Sequence, residues 1–277
     1  MSQIFNSYLL QIITICSINI IIVAGLNLVT GVTGQLSLGH AGFMSVGAYT
    51  AAILMMKAGL PFFFALIAAA ASAALAGLCL GLPLLRLRGD YLAIATLGFC
   101  EIVRVVFLYA RSLTRGAVGI SGIPYHTSVG LTIIIAALSL IFMYNLENSR
   151  FGLALKSIRE DELAAEMMGI NVIKYKIIAF AIGSAFAGIG GALYACRMTI
   201  ITPADFGFMK SIEQLCMLVL GGMGSLMGVV VGVVILTAVP ELLRFASEYR
   251  MVMYGLVMVM IMAYRPQGLF GKIKVNI

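Results

Sequence analysis

Charged side chains are scarce in this sequence. Asp, Glu, Lys and Arg make up 10% of the 277 residues, while 62% are hydrophobic. A soluble globular domain carries roughly 25% charged residues, so a chain this poor in charge could not cover a water-facing surface. Long apolar runs fill the sequence, and a helix needs about 20 mainly apolar residues to cross a bilayer. The composition therefore predicts an all-α integral membrane protein.

Motifs for metal binding, catalysis and nucleic-acid binding are also missing. The five cysteines lie singly in apolar stretches, and His40 and His126 are far apart, so we expect neither a metal site nor a bound cofactor. The G-x-x-x-x-G-K-[ST] motif is absent and no nucleophile or paired carboxylates can be recognised, which argues against an enzyme. The net charge of +7 is expected to reflect Lys and Arg on the cytoplasmic side rather than nucleic-acid binding.

Apolar runs mark the candidate spans. They lie at 7–28, 42–56, 61–85, 91–109, 129–146, 176–200, 213–240 and 251–264. The first 30 residues contain no Lys or Arg, so we expect the first run to be a retained span rather than a signal peptide. These runs predict about eight to ten transmembrane helices, including broken or re-entrant segments, in one domain over residues 1–277.

The distribution of basic residues predicts where the chain doubles back. The segment 147–176 is the most polar stretch, and it and the C-terminal tail are rich in Lys and Arg, which places both in the cytoplasm. Three simple crossings between them would leave the tail outside. The run 213–240 is longer than one span requires and contains Gly221-Gly222-Met223-Gly224-Ser225. We therefore predict that this run is split at its glycines.

A second glycine-rich interruption occurs near the start, at residues 31–42. Paired interruptions are typical of transporters with inverted repeats, although such glycines can also serve only close helix packing, as expected for Gly188, Gly190 and Gly191. The interruptions supply candidate residues for the translocation pathway or gate: Gln35, Ser37, His40, Gly221, Gly222 and Gly224. The polar members would line a path or satisfy freed backbone groups, and the sequence leaves both readings open.

Glu101 and Arg104 lie within the apolar run 91–109. Ionisable residues at membrane depth are costly and usually face the protein interior or a cavity. At a spacing of three they can neutralise each other. The pair would serve either the pathway and its gate or the attachment of this helix to its neighbours.

The polar segment contains a predicted short helix. Ser157-Ile158-Arg159-Glu160 matches the capping box, which predicts a helix from about 158 to 168 with Glu160, Asp161 and Glu162 in its first turn. Gly169 would follow its end. Apolar side chains form one stripe along it: Leu163, Ala164, Met167 and Met168. This stripe would pack against its own membrane domain or in a groove of a partner protein.

Several stretches together resemble the permeases of branched-chain amino acid ABC transporters. They are LRLRGDYLAIATLGF at 85–99, GQLSLGHAGF at 34–43, GISGIP at 119–124, SIREDE at 157–162, GGMGS at 221–225 and RPQGLF at 265–270. The resemblance extends over nearly the whole chain and favours the LivM-type subunit over its LivH-type partner.

The resemblance implies a multi-pass subunit of an importer in the bacterial or archaeal plasma (inner) membrane. Its partners would be a LivH-type permease, two ATPase subunits that use ATP and Mg, and an extracytoplasmic substrate-binding protein. The substrates would be leucine, isoleucine and valine, although permeases of the same build serve urea, short amides or other amino acids. The loop 147–175 would couple to the ATPases through Ser157, Ile158, Arg159, Glu160, Asp161, Glu162, Leu163, Ala164, Ala165, Met167, Met168 and Gly169.

The alternative is a secondary transporter driven by an ion gradient. It would need an acidic residue committed to ion binding in the membrane, and Glu101 is the one plausible candidate, with Arg104 placed to neutralise it. Under the coupling hypothesis, charge reversal at Arg159 or Glu160 leaves the protein in the membrane but uncouples transport.

Overall fold

A computed structural model describes residues 2–84, 87, 89–242, 255 and 268–270, and these are largely helical. The α-helices are α1 (Ser2–Leu26), α2 (His40–Lys57), α3 (Phe62–Leu84), α4 (Asp90–Tyr109), α5 (Arg111–Thr114), α6 (Val129–Asn148), α7 (Arg150–Glu160), α8 (Glu162–Met167), α9 (Val172–Met198), α10 (Phe208–Gly221) and α11 (Leu226–Leu242). Two short strands, β1 (Ile120–Ser121) and β2 (Ile200–Ile201), pair antiparallel with Ile120 opposite Ile201. The predicted all-α fold is confirmed.

Five of the described helical segments are long and apolar enough to cross a membrane. They are Tyr8–Val32, Phe62–Pro83, Asp90–Tyr109, Val129–Asn148 and Val172–Met198. A further apolar segment, Leu226–Ala238 in α11, is shorter. The run at 251–264 and the basic tail lie almost wholly outside the described residues, so the total of about eight to ten crossings stays a prediction.

Helices α1 and α9 form the centre of the assembly. The most apolar window is 78% buried in the first span and 61% buried in α9, against 22% in α3, α4 and α6, whose outer faces are therefore suited to lipid. Helix α9 packs against α1, α2 and α3. A Cβ atom at Gly188 would lie 2.6 Å from the main-chain oxygen of Ala69. The predicted packing role is confirmed for this glycine, because only a residue without a side chain allows so close an approach.

The first break, residues 33–39, separates α1 from α2. Helix α1 continues as a π-helix (Asn27–Val32), and Gly34 then adopts a φ of +78°, which most side chains avoid. Non-helical backbone inside an apolar segment needs partners within the protein. One is Thr96 of α4, whose Oγ1 accepts a hydrogen bond from the N–H of Leu38 (3.0 Å).

The second break, residues 222–225, separates α10 from α11. Gly222 and Gly224 have φ values of +111° and +85°. Helix α10 has 14 residues, or about 21 Å at 1.5 Å per residue, which is shorter than the hydrocarbon core of ~30 Å. The predicted split of the run 213–240 is confirmed.

Residues 268–270 complete the hydrogen bonding at the end of α10. The N–H of Leu269 donates to the carbonyl of Leu220 (3.0 Å), and the N–H of Phe270 donates to the carbonyl of Gly221 (2.9 Å). Carbonyls in the last turn of a helix have no partner within the helix. The segment 268–270 therefore caps α10 beside the second break.

Candidate functional site: the polar loop and the two breaks

The polar loop, residues 147–175, contains two helices where the sequence predicted one. Helices α7 and α8 meet at Asp161, which is extended with φ −154° and ψ 114°. The predicted helix start at Ser157 is wrong. Ser157 lies inside α7, and its hydroxyl donates to the carbonyl of Ala154 (2.8 Å).

Two better caps explain this difference. Ser149 caps α7 by accepting a hydrogen bond from the N–H of Gly152 (3.3 Å). Helix α7 therefore begins before Ser157, and the predicted start falls inside it. A serine inside a helix bonds a preceding carbonyl instead of capping. The Asp161 carboxylate caps α8 by accepting from the N–H groups of Leu163 (2.9 Å) and Ala164 (3.1 Å). Asp is among the strongest N-cap residues, so the helix that carries the apolar stripe begins at Glu162, four residues later than predicted.

The end of α8 is as predicted. Gly169 has a φ of +82°, and its N–H donates to the carbonyl of Glu166 (2.9 Å). The N–H of Ile170 donates to the carbonyl of Ala165 (3.1 Å). These two bonds form the Schellman motif, in which glycine tolerates the left-handed conformation.

Of the three acidic residues predicted for the first turn, one lies there. Glu162 is in the first turn of α8, whereas Asp161 is its cap and Glu160 ends α7. Glu162 forms an ion pair with Lys176 of α9, whose side chain is 8% exposed. A buried ammonium without a partner is costly. The pair therefore fastens α8 to the membrane-spanning part of the chain.

The apolar stripe of α8 is uncovered in the described part of the chain. Leu163, Met167 and Met168 are 64%, 89% and 82% exposed, and Ala164 is exposed beside them. On the opposite side Ala165 is buried. Leu163 of the stripe lines an open groove of about 790 Å³ between α8, α9 and the end of α3. Groove residues include Leu82, Glu162, Leu163, Glu166, Ile173 and Lys176.

Three predicted pathway residues, Gln35, Ser37 and His40, are buried at the first break. Ser37 Oγ accepts from the N–H of Gly39 (3.4 Å), and His40 Nε2 lies 3.1 Å from the carbonyl oxygen of Ile22. These two side chains satisfy backbone groups. Neither polar atom of the Gln35 amide has a hydrogen-bond partner within the described structure. Around His40 and throughout the described residues, no group of three His, Cys, Asp or Glu could hold a metal ion.

Polar side chains tie the loop to both breaks. Arg159 of α7 donates a hydrogen bond to the carbonyl of Gly31, at the end of the π-helix. Asn27, which is fully buried, accepts through Oδ1 from the N–H of Gly224 in the second break (2.8 Å). Asn27 also donates through Nδ2 to Glu147 Oε1 at the start of the loop (3.2 Å). The π-helix that leads into the first break and the second break, which are far apart in sequence, therefore meet at the loop.

Glu101 and Arg104 form the expected pair within α4. The Arg104 Nε lies 2.7 Å from Glu101 Oε2, and the two side chains are 36% and 34% exposed. Arg104 Cδ would lie 3.6 Å from a Cβ at Gly207, where α10 begins. The pair thus neutralises itself at the contact of α4 with α10, and its part in gating stays a prediction.

Comparison with known families identifies what kind of protein carries this arrangement. The model of the family described as "Branched-chain amino acid transport system / permease component" matches residues 8–262. The chain belongs to this family. The matched residues of the permease include both breaks and the polar loop.

Named relatives of the permease agree with this assignment. The high-affinity branched-chain amino acid transport system permease protein LivM of Escherichia coli K12 is 40% identical over 94% of this chain and 69% of its own length. A probable LivM of Methanocaldococcus jannaschii is 29% identical over 68% of this chain and 62% of its own length. The LivH of Salmonella typhimurium is 33% identical over 46% of this chain and 42% of its own length. The predicted LivM-type resemblance is confirmed. No solved structure matches the chain.

Two residues of this site in the permease were missed by the sequence analysis. Asn27 is a polar side chain within an apolar span, which is by itself a reason to suspect a defined role. Glu147 is 8% exposed at the end of α6, where the sequence alone indicates only the edge of a polar loop. Their link to Gly224 depends on contacts between segments far apart in the chain, which periodicity does not reveal.

Proposed function

We propose that this permease is one of two membrane subunits of an ATP-driven importer for leucine, isoleucine and valine. It forms half of the translocation path in a bacterial or archaeal plasma membrane. A LivH-type permease supplies the other half, an extracytoplasmic binding protein delivers the substrate, and two cytoplasmic ATPases that use ATP and Mg drive transport. The 40% identity with a branched-chain amino acid permease over 94% of this chain is the observation that carries the proposal.

The polar loop supports coupling to a partner. Its stripe of exposed apolar residues lies on a helix too short to span a membrane, and one of them, Leu163, lines an open groove. Exposed apolar stripes of this kind fit the grooves of partner proteins. The ion pair of Glu162 with Lys176 would pass a displacement of α8 to α9, which lies at the centre of the helix assembly.

The test is the composition of the complex purified from native membranes in mild detergent. Met167→Glu places a charge at the stripe position that is 89% exposed. Val118→Glu is the matched control. Val118 is 74% exposed, but it lies before the N-terminus of α6, whereas the polar loop begins at the other end of that helix. We expect the wild type and Val118→Glu to retain a second permease and two ATPases. Met167→Glu should retain the second permease, but the amount of ATPase recovered with it should fall about tenfold.

Other outcomes would reject parts of the proposal. Recovery of the wild-type chain alone, from cells whose uptake is intact and depends on membrane potential, would instead support an ion-driven transporter. The substrate is tested separately by uptake of labelled leucine. Excess isoleucine or valine should compete with leucine, and excess urea or a short amide should not. The opposite pattern would reassign the substrate.

A further inference from the structure

Asn27 is a fully buried side chain that joins three segments of the permease. It lies in the π-helix at the end of the first span and bonds both Glu147 at the start of the polar loop and Gly224 in the second break. Its amide offers a donor and an acceptor at opposite sides, and both are used. An aliphatic residue could fill the same space but could not hold both neighbours.

The surrounding backbone is shaped around this side chain. Asn27 begins the π-helix, a wide turn that is frequently found at functional sites. A Cβ atom at Gly31 would overlap both Asn27 Oδ1 and the main-chain nitrogen of Gly224. Gly31, just before the first break, and Gly224, in the second, thus lie in direct contact, and the asparagine bridges them to the loop.

Arg159 makes a second connection to the same place. Its guanidinium bonds the carbonyl of Gly31, and its Nη1 would lie 2.8 Å from a Cβ atom at Gly224. The loop is therefore attached to the paired breaks at two points, one at Glu147 and one at Arg159. Two separated attachments transmit rotation as well as displacement, which a single hydrogen bond does not.

We propose that Asn27 is a positioning residue for transport, through which the polar loop moves the second break together with the first. Glu147 is its partner on the loop. The proposal rests on the proposed function, because it takes the loop to be the part that the ATPases move. It adds that the buried Asn27 amide provides the hydrogen bond through which motion reaches the α10–α11 break, while Arg159 attaches the loop to the end of the first span.

The experiment measures substrate uptake and ATP hydrolysis in the same vesicles, with the complete importer reconstituted. Asn27→Ala removes both bonds. Asn27→Asp keeps the acceptor for Gly224 but sets a carboxylate against Glu147, and adding Glu147→Gln restores a donor opposite it. Asn19→Ala is the matched control, because Asn19 is also buried on α1 and bonds Thr237 of α11 (3.3 Å) away from the breaks.

We expect uptake per ATP hydrolysed to fall about tenfold in Asn27→Ala and Asn27→Asp. The double variant Asn27→Asp with Glu147→Gln should recover to within about threefold of wild type, since the donor and acceptor are restored with their roles exchanged. Asn19→Ala should lower the yield or thermal stability while keeping the ratio of uptake to hydrolysis. This ratio separates a positioning role from a purely structural one.

Two results would overturn the inference. An unchanged ratio in Asn27→Ala, or a double variant no better than Asn27→Asp, would reject it while leaving the proposed function intact. If Asn27→Ala does not assemble into the importer, the inference is tested by comparing uptake per ATP hydrolysed between Asn27→Asp and the double variant. A wild-type chain that takes up leucine without any ATPase subunit would overturn the proposed function and this inference together.

Discussion

Arg159 donates a hydrogen bond to the main-chain carbonyl of Gly31, 128 positions earlier in the chain. The bond joins the helix before the α8 stripe to the last turn of the first span. Main-chain carbonyls at a break lack helical partners, and a guanidinium is a strong donor for them. The relationship gives Arg159 a role inside this subunit in addition to any contact with a partner.

Charge reversal at Arg159 should uncouple transport without removing the protein from the membrane. In Arg159→Glu the donor is lost and a carboxylate approaches the Gly31 carbonyl, so uptake should fall about tenfold or more. Uptake of labelled substrate, normalised to the amount of protein in the membrane, is the measurement. Arg150→Glu on the same helix is the control, because an acidic residue in the first turn is favourable. Wild-type uptake in Arg159→Glu would reject the coupling role.

A side chain at Gly31 should destabilise the protein. In Gly31→Ala the added methyl group meets Asn27 and Gly224, so the free energy of unfolding should fall by about 1–3 kcal/mol. Gly98→Ala in α4 is the control, since a Cβ there meets nothing within 4 Å and the change should stay within about 1 kcal/mol.

Thermal unfolding of the purified protein measures this difference. The chain has no tryptophan, so unfolding is followed by dye labelling of the buried thiols of Cys100, Cys196 and Cys216. Equal midpoints of thermal unfolding for Gly31→Ala and Gly98→Ala would mean that Gly31 does not pack closely against Asn27 and Gly224.

The ion pair of Glu162 with Lys176 should hold α8 in place. Glu162→Gln removes one charge and leaves the largely buried Lys176 poorly matched, so α8 should open more readily by about 1 kcal/mol, or roughly fivefold. Hydrogen–deuterium exchange of peptides from 161–171 measures the opening. Adding Lys176→Met should recover most of the protection, because replacing both charges removes the unpaired one. Equally fast exchange in the double variant would assign the effect to another contact of Glu162.

We expect Glu101 and Arg104 to neutralise each other within the membrane span rather than to bind a coupling ion. Glu101→Gln or Arg104→Gln alone leaves one charge unpaired in a membrane span, and we expect membrane yield to fall about twofold or more. The double variant, which has no net charge at the pair, should recover most of the yield and the uptake. Normal yield with lost uptake in the double variant would instead place the pair in the pathway or in its gate.

The sequence predicted the features that depend on local chemistry. The split at Gly222 and Gly224 and the end of α8 at Gly169 were found because glycine leaves a recognisable interruption. The start of α8 was wrong because the capping pattern at Ser157 lay within a longer helix, and a cap is effective only where a helix begins. The bridge through Asn27 was not predicted, since its partners come from segments that meet only in the folded chain.

The cap that residues 268–270 provide for α10 has a consequence for biosynthesis. The carbonyls of Leu220 and Gly221 receive their partners from Leu269 and Phe270. A chain is made from its N-terminus, and domains can begin to fold as they emerge. The last turn of α10 therefore acquires these two hydrogen-bond partners only after residues 269 and 270 have been synthesised, although α10 and α11 already pack against each other across the second break.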